Sequence, residues 1–100
     1  MLKCLGVNIE NLTHHIRDKF DFLDDVFMDV AGRECVITSG NDEQHMVGSL
    51  HYKDRAIDVR IKDISRQKAA IAYEQIVKEF GPDFDVLFEP THIHIEYDPE

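Results

Sequence analysis

The chain has 100 residues, 43% of them hydrophobic and 31% charged, with a net charge of −9. That length suits one domain with one modest core, so residues 1–100 are read as a single unit. Acidity of this size argues against a nucleic-acid partner, which needs clustered Lys and Arg, and against an anionic membrane surface as well. The two cysteines, Cys4 and Cys35, form no CxxC pair. They are expected as buried free thiols in a reducing compartment. Met1 to Val7 is too short and interrupted for a signal peptide, and no apolar run approaches a membrane span.

In chain order, Leu12, Ile16, Phe20, Leu23, Val26 (or Phe27) and Val30 recur at helical spacing. They predict one amphipathic helix, capped by Asn11 or Thr13, interrupted near Asp21–Asp25 and ended by Gly32. The β-branched Glu34–Ser39 run predicts a short strand. Gly40 to Lys53 lacks periodicity and reads as a long surface loop, a length that usually signals function or disorder. Ala56–Lys62 alternates cleanly, with Ala56, Asp58, Arg60 and Lys62 on one face and Ile57, Val59 and Ile61 on the other.

A second helix is expected from Asp63 or Ser65 to Phe80, with Ile64, Ala69, Ala72, Ile76 and Phe80 as its apolar stripe and Gly81-Pro82 as its stop. Phe84–Phe88 and His92–Tyr97 predict two strands joined through Glu89-Pro90-Thr91 as a hairpin. The element order implies an α+β domain, a small antiparallel sheet with two helices on one face.

On the last strand His92 and His94 project together while Ile93 and Ile95 supply the core. Paired neutral imidazoles suit zinc, and Asp58, on an otherwise apolar strand, offers a carboxylate. His51 sits in the loop leading to that strand, seven positions before Asp58. His51 joins them only if the loop folds back. Such a set is a three-ligand site with an open fourth position, the arrangement of a catalytic zinc. Glu89 and Glu96 are the carboxylates placed to carry a proton, as a hydrolytic zinc enzyme requires.

These residues form a pattern. Ser49-x-His51-x-x-x-x-Ala56-x-Asp58, preceded by Thr38-Ser39-Gly40 and followed by Glu89-Pro-Thr-His92-Ile-His94-Ile-Glu-Tyr, resembles the signature of the zinc D-alanyl-D-alanine carboxypeptidase and endopeptidase family. That family shares its fold with the hedgehog signalling domain, and the likeness runs from about Val36 to Tyr97.

The resemblance implies a hedgehog/DD-peptidase-like fold and a compact form of the phage or bacterial type. It implies one Zn2+ on His51, Asp58 and His94, with Glu89 as general base. His92 would then stabilise the oxyanion; read instead as Glu-x-x-His, the same segment makes His92 the third ligand. Ser49 would bind substrate or support the loop. The implied reaction is hydrolysis of stem or cross-link peptides of bacterial peptidoglycan, by a protein made in the cytoplasm that reaches the cell wall by export or lysis.

Two positions depart from the pattern. Asp54 stands where the family has Gly, a place that Asp can occupy at some conformational cost. Asn41 and Asp42 stand where larger members carry an Arg that grips the substrate carboxylate, a task left to Arg55 or Arg60. Endopeptidase and carboxypeptidase activity therefore stand level. The rival expectations are a zinc-binding module without catalysis, or a virion-structural interaction domain in which the His-x-His face is simply polar.

Overall fold

The computed structural model describes residues 1–40 and 55–99. Its elements are β1 (Leu2–Lys3), α1 (His14–Arg17), α2 (Phe20–Ala31), β2 (Val36–Ser39), β3 (Ala56–Arg60), α3 (Arg66–Phe80), β4 (Phe84–Phe88) and β5 (His92–Tyr97). The strands form one sheet in the order β1-β2-β3-β5-β4. The α+β class follows, and the β4–β5 hairpin lies where the sequence predicts it.

Alternation decides what the sheet buries. Ile57 and Val59 of β3, Ile61 just beyond it, and Ile93 and Ile95 of β5 lie fully inside. They meet Leu23, Val26 and Phe27 of α2 and Ala69, Ala72 and Ile76 of α3 in one hydrophobic cluster. Two alanines among the buried positions of α3 let that helix lie close to the strands. Ser65 caps it, its Oγ accepting from the Lys68 N–H at 3.2 Å. Gly32, at φ 70°, closes α2 in the left-handed conformation that a Cβ disfavours, with its N–H on the Met28 carbonyl at 3.1 Å. The helices thus cover one face of the sheet, and the opposite face carries the polar side chains of β3 and β5.

Four expectations need correction. The predicted first helix is two, and the break falls at Asp18–Lys19, before the predicted Asp21–Asp25. Neither residue breaks helices by type. Tertiary contacts accompany the turn: Arg17 Nη2 donates to the Ile9 and Glu10 carbonyls, and Lys19 Nζ to Glu79 Oε2 at 3.0 Å.

The sheet is also not purely antiparallel, because β1 pairs parallel to β2, held by Leu2 and Cys4 N–H groups on the Cys35 and Ile37 carbonyls at 2.9 Å. A two-residue strand has no period to read, so only its neighbour reveals it. Cys4, beside β1, is consequently half-exposed and not buried. Cys35 is buried as expected, and desolvation pushes its thiol far above the usual range, so it stays protonated. Lastly, His14 and His15, which the sequence places in the predicted first helix as a solvated pair, are not both solvated: His15 stacks on Tyr97 with ring centroids 3.9 Å apart.

Candidate metal centre

Strand register builds the centre. Asp58 of β3 stands directly opposite His94 of β5, Arg60 opposite His92, and Ala56 opposite Glu96. Neighbours across a ladder have side chains within contact distance on the same face. The register therefore places one carboxylate between two imidazoles. Asp58 Oδ1 lies 2.8 Å from His94 Nδ1, and Asp58 Oδ2 lies 3.7 Å from His92 Nε2. Glu96 Oε1 approaches His94 from the other side, 3.2 Å from Nε2. His92 Nδ1 is bonded to Thr91 Oγ1 at 3.2 Å. The strand carrying Asp58 is itself fixed by Thr38, whose hydroxyl donates to the Asp58 carbonyl at 3.4 Å.

These side chains are partly open: 24% of Asp58, 27% of His94 and 31% of His92 face solvent, which leaves them accessible to an ion or substrate. Leu87 of β4 pairs with His94 and lies exposed beside it, supplying an apolar flank.

His94 is held by two carboxylates. The hydrogen bond to Asp58 raises its pKa above the ordinary value near 6.5, burial opposes this, and Glu96 adds to the rise. With a carboxylate at each ring nitrogen, both nitrogens of a protonated His94 have an acceptor. The sign of the linkage follows. A raised folded-state pKa contributes stability that is fully present below about pH 6.5 and is lost as pH rises through the folded value. In chelator-treated protein, the stability difference between the parent and His94→Gln is expected to be larger at pH 6 than at pH 9. The His94 ring resonance should titrate with a midpoint above 6.5. A midpoint at or below that value would show that the carboxylates do not hold the proton.

The donor chemistry fits zinc. Zinc–nitrogen and zinc–oxygen bonds are about 2 Å, so one ion can touch two atoms up to about 4 Å apart. The 2.8 Å between Asp58 Oδ1 and His94 Nδ1 falls within that span, while Asp58, His92 and His94 do not bring three donor atoms within one ion's reach in this arrangement, so Asp58 and His94 are the pair that fits. Glu96 then takes the part of the acceptor that fixes the tautomer of a ligating His. Sequence reasoning weighed Glu96 only as a second proton carrier. The signal for its placement is its two-residue spacing from His94, which puts both side chains on one face.

The remaining candidates are scattered. Glu89 is at the head of the β4–β5 hairpin, half-buried, its N–H donating to the His92 carbonyl at 2.9 Å. Arg55 is exposed at the other end of β3, its carbonyl accepting the Tyr97 N–H at 2.8 Å, so it belongs to the Glu96 end of the site. Arg60 lies at the His92 end. His51, Ser49, Asp54, Asn41 and Asp42 lie outside the described residues.

Among the described residues the three side chains that bring their donor atoms within mutual reach are Asp85, Glu96 and Asp98, with Asp85 and Asp98 exposed. Surface acids of this kind are common without an ion.

The hedgehog amino-terminal signalling domain, as a family model, matches residues 8–96. The match covers every strand residue of the centre and falls on the hedgehog side of the fold that the sequence pattern suggested through the zinc peptidases. No curated protein matches the chain.

Proposed function

The chain belongs to the hedgehog amino-terminal signalling domain family, and from that premise we propose that it is a zinc-dependent hydrolase of peptide bonds in bacterial peptidoglycan, a D,D-carboxypeptidase or endopeptidase. One observation carries the reading: Asp58 and His94 meet at 2.8 Å on an open sheet face with His92 beside them. A merely solvated face has no need of a carboxylate shared between two imidazoles.

In this reading His51, Asp58 and His94 hold the zinc. When bound, zinc supplies an acidified water and a polarised carbonyl. The chain's own residues do the rest. Glu96 keeps His94 in one tautomer and one orientation through the bond at Nε2. Thr91 aims His92, whose Nε2–H then donates to the oxyanion that develops as the amide carbonyl is attacked. Glu89 takes the proton from the attacking water and returns it to the departing amine. Leu87 offers apolar contact to the peptide, with Ser49 and Arg55 as further substrate contacts.

Elemental analysis of the purified protein, paired with a cleavage assay on purified peptidoglycan peptides, tests this. The expected result is one equivalent of zinc and release of a free amine. Glu89→Gln should keep the zinc and lower the rate by about 10²–10⁴-fold, the usual worth of a general acid–base group. Zinc-loaded parent that leaves every peptide intact would overturn the hydrolase. It would favour the second reading, a zinc-binding domain without catalysis, which the hedgehog match itself supports. A parent that takes up no zinc would overturn both.

A further inference from the structure

Helix α3 opens with charges that its dipole disfavours. Its first turn holds Arg66 and Lys68 and no acidic residue, so cations stand at the positive end of the helix. Arg66 is exposed, and its guanidinium reaches to the β4–β5 hairpin. Its Cζ lies 4.1 Å from the centre of the Phe88 ring, within the range of a cation–π contact. Tyr73, two turns further along α3, stacks on the same ring with centroids 5.2 Å and planes 15° apart. From that seat Arg66 Nη1 donates to the Glu89 carbonyl at 3.2 Å and to the Pro90 carbonyl at 3.3 Å.

Those two carbonyls belong to the turn that closes the His92 end of the candidate centre. The Glu89 N–H donates to the His92 carbonyl at 2.9 Å, and the Thr91 carbonyl accepts the Ile61 N–H at 2.9 Å. Pro90 has no N–H, so it brings the turn an acceptor without a donor. Arg66 supplies donors from outside the hairpin. A charged donor makes a stronger bond than a neutral one. A planar guanidinium resting on an aromatic face loses little freedom in making it. These bonds explain a cation at a helix start that would otherwise only weaken the helix.

We infer that Arg66 is a positioning residue: it clamps the Glu89–His92 turn to the start of α3 and so fixes where the Glu89 carboxylate stands. The catalytic use of the clamp rests on the hydrolase reading. The clamp itself does not.

The first measurement is amide hydrogen exchange of the full chain in chelator, the parent against Arg66→Met, which keeps an unbranched stem and removes the charge. The Glu89 and Ile61 N–H groups should exchange about tenfold faster or more in the variant, as two charge-assisted bonds are lost. The Tyr97 N–H, bonded to the Arg55 carbonyl at the far end of β5, should keep its rate. Arg66→Lys, which retains a cationic donor beside the ring, should restore part of the protection.

The second measurement is steady-state cleavage by the zinc-loaded chain. Arg66→Met should lower kcat by about tenfold with KM within about twofold, the pattern of a group misplaced for the chemical step alone. In a Glu89→Gln chain the same substitution should change the rate by less than about threefold, because the group it positions no longer acts. Zinc affinity should be unchanged, since the β3–β5 ladder sets Asp58 and His94.

Unchanged exchange at both amides would overturn the clamp. Faster exchange with an unaltered kcat, or an equal loss in the Glu89→Gln chain, would overturn the positioning of Glu89. A parent that cleaves nothing overturns the hydrolase and with it the catalytic use, while the exchange rates still decide the clamp.

Discussion

Replacing His94 by alanine is expected to lower zinc affinity by at least about a hundredfold. Loss of a group that merely supports a ligand already costs 10–100-fold, and loss of a ligand costs more. Asp58→Asn should do the same, because it keeps the size of the side chain while removing the charge that faces both imidazoles. His92→Ala is expected to behave differently, leaving zinc bound and depressing cleavage.

The distinction comes from register. His94 is the direct partner of Asp58 across the ladder, and His92 is offset by two residues and stands 3.7 Å from the second oxygen. Competition with a chromophoric zinc chelator at pH 7.5 measures all three variants. Were His92→Ala to lose zinc and His94→Ala to keep it within threefold, the last strand would have to be read as Glu-x-x-His, with the ligand three residues after Glu89. Proton competition adds a check. Because the two carboxylates raise the His94 pKa, zinc affinity of the parent should fall as pH is lowered toward 6, as protons reclaim the imidazole.

Much of this centre was legible in the sequence because strands report their faces. Ile57, Val59 and Ile61 against Asp58 and Arg60, and Ile93 and Ile95 against His92 and His94, are period-two patterns that assign burial before any pairing is known. What a pattern of that kind does not contain is the pairing itself. Whether Asp58 would stand opposite His94, His92 or neither depends on how β3 slides along β5, and a slip of two residues leaves every face unchanged.

Arg60 illustrates the same limit. Its face was predictable, but its contact with Cys4 depends on the pairing of β1 with β2, which brings Cys4 alongside. Two residues of strand hold no signal of their own. The helix break at Asp18–Lys19 is of the same kind, accompanied by contacts to Ile9, Glu10 and Glu79 that lie far from it in the chain or in neighbouring loops. The half of the signature that contains Ser49 and His51 lies outside the described residues, so its meeting with Asp58 rests on the resemblance.

Phe27→Ala is expected to destabilise the domain by about 3–5 kcal/mol, the range for truncating a fully buried aromatic ring. Phe27 heads the fully buried side chains and is wholly inaccessible to solvent, in the cluster that α2 shares with β3, β5 and α3. For a chain of this length each kcal/mol shifts the melting midpoint by about 4–8 °C, so a fall of about 12 °C or more should be seen. Urea unfolding should show a lower midpoint with an unchanged slope, and Phe27→Leu a much smaller loss.

The ring has a second task that connects the core to the site. Arg33 lies over it, with Cζ 5.5 Å from the ring centre, and from there Nη2 donates to the Arg60 carbonyl at 3.3 Å while the fork holds Asp63. Removing the ring therefore takes away the surface on which the clamp at the end of β3 rests. Arg33→Ala separates the two parts. The Arg33–Asp63 pair is partly exposed, so it should account for no more than about 1 kcal/mol. A Phe27→Ala loss of that size or less would mean that the helix relaxes into the space. The sheet face bearing Asp58 and His94 would then be held by the strands alone.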